Sequence, residues 1–102
     1  MIFIHPFDDL DVITGYASLA AEVKEDCPNK IDYLLVPSGG GALLAAMAIY
    51  FKQISPETQI VCVEPENANP MYQSLLEEKR VILSASRYCD GSSVKQIGEI
   101  PF

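Results

Sequence analysis

Basic side chains are scarce in this sequence. Seven lysines and arginines stand against fourteen aspartates and glutamates in 102 residues, a formal net charge of -7. The cations are scattered at Lys24, Lys30, Lys52, Lys79, Arg80, Arg87 and Lys95 and form no patch. Nucleic acid and anionic membrane surfaces, which are held by clustered positive charge, are therefore not expected as partners. Histidine occurs once, at His5, with no apparent partner in its sequence surroundings. Cysteine occurs three times, at Cys27, Cys62 and Cys89, an odd number without a C-x-x-C pair. That pattern argues against a disulfide framework or a zinc site and for a reducing, cytoplasmic setting.

Long apolar runs are missing as well. The longest uncharged stretch, which includes Leu34 to Phe51 and begins at Tyr33, is interrupted by Pro37, Ser38 and three glycines, and the first residues lack a basic region followed by an apolar stretch and a cleavage site. Neither a membrane span nor a signal peptide is expected. Two catalytic signatures are also absent: there is no GxSxG elbow and no cysteine–histidine couple close in sequence, so a hydrolase reading has little support.

What the sequence does contain is an alternation of strand-like and helix-like segments with short turns, the pattern of a parallel α/β sheet within one segment, residues 1–102. At this size folding hides only ~65% of the surface of the unfolded chain, so the core is limited. After an apolar lead, Ile2-Phe3-Ile4, the aspartates of PFDDLD offer helix caps, and Val12, Tyr16, Leu19 and Val23 recur at helical spacing, with Gly15 as a weak point. IDYLLVP then reads as a strand suited to cover on both faces. A helix from about Ala42 to Gln53 is apolar almost all round and is expected to be deeply covered.

Past the SPET turn, QIVCVE reads as a second buried strand. Two strands joined by a helix form a βαβ unit with parallel strands and a right-handed crossover. ENANPMYQSLLEEK carries Asn69 as a cap and Pro70 at the first helical position. Val81-Ile82-Leu83 suggests a short strand, and Asp90-Gly91 a turn.

The stretch VPSGGGALLA, residues 36–45, places Gly39, Gly40 and Gly41 where a strand becomes a helix. Bare backbone N–H groups there can curve round an anion, and the helix N-terminus adds about half a positive charge. The alternative is that the glycines only allow close packing of helix on sheet. No GK[ST] follows, so a nucleoside triphosphate loop is not supported. Both PSGGGA and EPENAN leave the carboxyl ends of strands, where ligands bind in parallel sheets. Glu64 at the end of the second strand raises a dinucleotide site as a rival, although Leu44 stands where that fingerprint wants a small residue. Glu64, Glu66 and nearby carbonyls could hold a divalent cation, against the plainer reading of a solvated acidic loop. Asp8-Asp9 reads as a cap, and Ser38 as a small residue making room.

PFDDLDVITGYASLAAEV, DYLLVPSGGGALLAAMAIYFKQISPETQIVCVEPENANPM and CDGSSVKQIGEIPF together resemble the pyridoxal-phosphate-dependent threonine dehydratases and their serine racemase relatives. The likeness runs in order from about Pro6 to Phe102, and VKQIGEIPF favours the biosynthetic dehydratase branch. The resemblance implies part of the large domain of a tryptophan-synthase-β-like, fold type II enzyme. It gives Gly39, Gly40, Gly41 and Ala42 the role of binding the cofactor phosphate. The complete enzyme is expected to convert threonine or serine to a 2-oxo acid and ammonia.

Several positions depart from the family pattern. Ala42 replaces a fourth glycine, Gly15-Tyr16-Ala17-Ser18 stands for Gly-Gln-Gly-Thr, and Cys89-Asp90-Gly91 for Ala-Asp-Gly. Metal-activated relatives hold a cation with groups matching Glu64 and the Ala68 carbonyl plus an aspartate where this chain has Pro70, so no functional metal is expected. The family's Schiff-base lysine lies in a Ser-Phe-Lys-like motif upstream, and no lysine here has that context. These 102 residues alone are therefore expected to be inactive, a piece of a larger cofactor domain. Other readings stay open: a non-catalytic module that binds a phosphate-bearing ligand or a complementing subunit, and a dinucleotide-binding domain. Open sheet edges and apolar faces imply self-association or a covering partner.

Overall fold

Asp9 starts the first helix. Its backbone is extended and its Oδ1 accepts hydrogen bonds from the N–H groups of Asp11 at 2.8 Å and Val12 at 3.2 Å, satisfying donors that have no partner inside the helix. In the computed structural model, which describes residues 1–83 and 92–102, this helix is α1, Leu10–Asp26. It continues through Gly15 and closes where the Cys27 N–H bonds the Val23 carbonyl, just before Pro28. The order continues with β1 (Tyr33–Pro37), α2 (Ala42–Ile54), β2 (Gln59–Val63) and α3 (Pro70–Glu77).

β1 and β2 pair in parallel, with Tyr33 opposite Gln59 and Pro37 opposite Val63. The register is set where β2 begins. The Thr58 hydroxyl donates to the Ile31 carbonyl at 2.7 Å and shares a 2.8 Å bond with Ser55, while the Gln59 N–H reaches the Asp32 carbonyl at 2.8 Å. Ser55 and Thr58 are both buried, so the SPET turn is a fastening between the two strand entries as well as a chain reversal.

The core gathers Ala20 of α1, Val36 of β1, and Met47 and Phe51 of α2. A second cluster joins Ile13 to Ala42 and Ala46, where small residues let α1 and α2 approach closely. The buried stripe of α1 is thus Ile13 and Ala20, flanked by the half-buried Val12 and Val23. Tyr16 and Leu19, expected in that stripe, are exposed, because α1 packs on α2 through Ile13 and Ala20 and those two lie off the contact face.

Coverage of the sheet on both faces is also corrected. Leu34 and Val36 point toward the helical side, whereas Tyr33, Leu35, Val61 and Val63 are exposed, Leu35 by 65%. α2 packs on one face and α1 on α2, and no described element covers the other. The all-round apolar character of α2 likewise exceeds its cover, since Ile49 and Ile54 remain exposed.

Pro70 does open α3, but the expected cap is replaced. Asn69 makes no capping bond. The Glu64 carboxylate, six residues earlier at the end of β2, accepts from the Met71 N–H at 2.9 Å and from the Tyr72 N–H at 3.0 Å. A carboxylate at a helix N-terminus also meets the positive end of the helix dipole. Val81, Ile82 and Leu83 form no strand; Leu83 is tied by its N–H to the Lys95 carbonyl at 2.7 Å. Cys89 and the Asp90-Gly91 turn lie outside the described residues. Among the described residues no helix is long and apolar enough to cross a membrane.

Glu64→Ala removes both acceptors at the start of α3 and is expected to cost about 1 kcal/mol, the usual scale of a lost cap, whereas Asn69→Ala should be nearly neutral. Urea denaturation of the two variants checks this, and equal losses would count against the Glu64 cap.

Candidate functional site

The loop between β1 and α2 is held open at its centre. Ser38 extends the ladder by one bond, its N–H to the Val63 carbonyl at 2.9 Å, and Gly41 then turns the chain into α2 with φ 99° and ψ -4°. That is a conformation side chains disfavour and glycine adopts freely. The Gly41 carbonyl accepts from the Ala45 N–H at 2.9 Å. The N–H groups of residues 39–44 donate to no described carbonyl or side chain. Gly40, Gly41 and Ala42 are nevertheless buried. Buried amides are almost always paired, and here a run of donors with no acceptor among the described residues stands at the positive end of a 13-residue helix, an arrangement that can accept an anion.

These donors border a cleft of about 510 Å³, walled on one side by residues 39–43 and on the other by Pro6, Phe7 and Tyr16. The structure therefore brings Gly39, Gly40, Gly41 and Ala42 to one place. The Ala42 methyl is absorbed in the cluster with Ile13 and Ala46, so the fourth position is occupied by packing between α1 and α2.

The glycines are equally required by what presses on them. A Cβ on Gly40 would fall inside the Phe7 ring, and one on Gly41 would come within 2.8 Å of the Pro101 Cβ and 2.9 Å of the Met71 Cε. The Gly98 N–H donates to the Gly40 carbonyl at 2.9 Å, drawing the 97–102 segment onto the loop. Asp8 fastens that segment from the other side, its Oδ1 accepting from the Ile100 N–H at 2.8 Å. The Ile100 and Glu99 amides beside it hold the Asp8 carboxyl below its ordinary range. Asp9 is the helix cap and Asp8 the clasp, so the two aspartates divide the single role expected of them.

Ser38 is 1% exposed, and among the described residues its hydroxyl makes no hydrogen bond of ordinary geometry. It lies by the Cys62 thiol and slightly favours the thiolate, but burial and the Glu64 charge dominate and push that thiol up. Cys62 is accordingly a poor nucleophile. Glu64 has both oxygens engaged by α3, which leaves it poorly placed to grip a ribose. Glu66 is exposed, and among the described residues no group of three or more histidine, cysteine, aspartate or glutamate side chains could hold a metal ion.

Sequence reasoning missed two contributors. His5 is not without a partner: its Nδ1 accepts from the Asp8 N–H at 2.8 Å and the Phe7 N–H at 3.3 Å. The signal was the position of a side-chain acceptor two and three residues before those amides, the spacing of an Asx turn. Phe7 lay within a segment read only for its caps.

The model of the family described as "Pyridoxal-phosphate dependent enzyme" matches residues 1–102. The chain belongs to this pyridoxal-phosphate dependent enzyme family. It is 40% identical over its whole length to the biosynthetic L-threonine dehydratase IlvA of Halalkalibacterium halodurans, covering 25% of that protein. It is 42% identical to the chloroplastic biosynthetic threonine dehydratase of Arabidopsis thaliana, again over its whole length, covering 17% of it. The chain thus spans a quarter or less of these two curated relatives. Its structure superposes with a TM-score of 0.95 on the processed form of threonine deaminase isoform 2 from Solanum lycopersicum, at 40% identity over 99% of this chain and 29% of that one. Maize serine racemase matches at 0.90 and 30% identity, over 98% of this chain and 31% of that one. The architecture, a parallel sheet flanked by helices, is that of the large domain in fold type II members of the family.

The lowered Asp8 pKa fixes the sign of a pH effect. The charged carboxylate contributes stability that is present above the ordinary aspartate pKa and lost as pH falls through the lowered value in the folded chain. The amide resonances of Glu99 and Ile100 should therefore move together in an acid transition below the usual carboxylate range. In Asp8→Asn that transition should disappear; its persistence would assign it to another group.

Proposed function

We propose that residues 39–42 form the cup for the phosphate of pyridoxal phosphate in a dehydratase-type enzyme that deaminates a hydroxy amino acid, threonine or serine, to a 2-oxo acid and ammonia. The observation that carries this reading is the run of largely buried N–H groups at the start of α2 that have no acceptor among the described residues and face a cleft. Family membership and the names of the threonine dehydratase relatives supply the cofactor and substrate class.

In this reading the amides of Gly39, Gly40, Gly41 and Ala42 bind the phosphate oxygens, and the α2 dipole adds to the attraction. Bound pyridoxal phosphate supplies an electron sink for the charge that develops when an amino-acid substrate loses a proton. Phe7 and Pro6 close the cleft on the side away from α2 and restrict water there. No lysine lines the cleft among the described residues; Lys30 and Lys79 pair instead with Asp32 and Glu77, each at 3.2 Å. The described residues that line the cleft fit the phosphate of the cofactor, and none of their side chains carries an amine for its reactive carbon.

The exposed sheet face of Tyr33, Leu35, Val61 and Val63 supports a second part of the reading. Parallel sheets are covered on both faces, so this face belongs against further polypeptide, either self-associated copies or a complementing partner. The same lack of a cleft lysine favours, as the second reading, a non-catalytic module that holds a phosphate-bearing ligand.

Titration of the purified chain with pyridoxal phosphate, followed by visible absorbance before and after borohydride, tests both. The expected result is binding that inorganic phosphate competes away, with no reduced lysine adduct and no ammonia from threonine. Gly40→Ala should abolish that binding. A single reduced lysine together with ammonia release would overturn the claim of inactivity, and binding indifferent to phosphate would overturn the cup.

A further inference from the structure

The glycine loop is braced from outside by the Phe7 ring, and that ring is itself held by His5. Phe7 rests on Gly40 so closely that no side chain fits between them, and it also lines the cleft. Two contacts with His5 keep it there. The His5 Nδ1 accepts from the N–H groups of Phe7 and Asp8, closing a turn of the kind an asparagine closes with its side-chain oxygen. The His5 ring meets the Phe7 ring edge to face, with centroids 4.6 Å apart and planes at 88°, a favourable aromatic arrangement.

Pro6 stiffens the turn by fixing its own φ. An accepting Nδ1 requires the ring hydrogen on Nε2, so a lysine or arginine at this position could not replace it. The end of the turn is fixed in turn by Asp8, which reaches Ile100, while Gly98 of the same segment bonds the Gly40 carbonyl. Gly40 is therefore held on its carbonyl side by the 97–102 segment and on its open face by Phe7. Its peptide plane, and with it the aim of the neighbouring N–H groups, depends on both.

We propose that His5 and Phe7 are positioning residues for the glycine loop: His5 locks the turn that seats Phe7 on Gly40, and this seating sets the affinity of residues 39–42 for a phosphate-bearing ligand. The proposal rests on the reading of that loop as a phosphate cup, and its structural half stands apart from any ligand.

Two readouts separate the halves. An aromatic ring stacked on Gly40 shifts the Gly40 Hα resonances upfield through its ring current, with or without ligand. The second readout is affinity for pyridoxal phosphate competed by inorganic phosphate. Relative to the unaltered chain, His5→Ala and Phe7→Leu are expected to lose the Gly40 shift or reduce it, and to weaken binding about fivefold, the scale of one lost hydrogen-bonded contact. His5→Asn, which restores an acceptor for the same two amides, is expected to keep the shift and to bind within about twofold of the unaltered chain, well inside the spread of single-contact effects. A Gly40 shift undiminished by His5→Ala would overturn the proposal, as would an affinity unchanged by His5→Ala. Failure of His5→Asn to rescue would overturn the role assigned to the turn. If the unaltered chain itself shows no phosphate-competed binding, the cup reading and the affinity half of the proposal fall together; the Gly40 shift still decides whether His5 seats Phe7.

Discussion

Phe7, Gly98, Pro101 and Met71 converge on a stretch of backbone that can receive them because it carries no side chains. The constraint is steric and it acts in two directions. Gly40 and Gly41 must be bare for these neighbours to approach, and the neighbours in turn leave the loop with one open side, toward the cleft. With Gly41 in a left-handed conformation the chain swings from β1 into α2 within four residues. The first-turn amides of that helix then emerge beside the loop amides, which is why the donors are concentrated rather than spread along the chain.

The rest of the molecule supports this junction with modest means. Phe51 and Ala20 are fully buried beneath α1 and α2, and burial of the phenyl group contributes about 1.5–3 kcal/mol. Small residues at 42 and 46 let α1 lie close to α2, which holds Tyr16 at the cleft wall. Against this, one whole face of a two-stranded sheet meets solvent. Stability is therefore greatest where the helices meet and least along the strands' outer side, so the junction is better supported from the α2 side than from the sheet.

Much of the fold could be read from the sequence, since it depends on local regularities. Asp9 before an amphipathic run, three glycines between an apolar strand and an apolar helix, and Pro70 ahead of a helical segment each have one short-range meaning. What escaped was decided by partners distant in sequence or by shape. Glu64 outcompetes Asn69 as the cap of α3 because the carboxylate reaches two amides from the end of β2, a geometry that exists only once strand and helix are in place. The buried stripe of α1 shifted to Ile13 and Ala20 because α2 presents alanines there, and spacing alone does not reveal the width of the opposing surface. In the site, the glycine loop was legible as a unit, whereas His5, Phe7 and the clasp of Asp8 on Ile100 were not. A side chain that organises its neighbours' backbone leaves little trace in composition.

The Asp8 contact with Ile100 joins residues 92 apart. Contacts of that span become available later than local ones as a chain is synthesised from its N-terminus. On the ribosome, β1, the glycine loop and α2 can assemble well before residue 100 has emerged, so for an interval the loop exists without the segment that draws on the Gly40 carbonyl. The bracing of the Gly40 carbonyl thus follows the assembly of β1 and α2, and is coupled to the translation of residues 98–100 rather than to the formation of secondary structure.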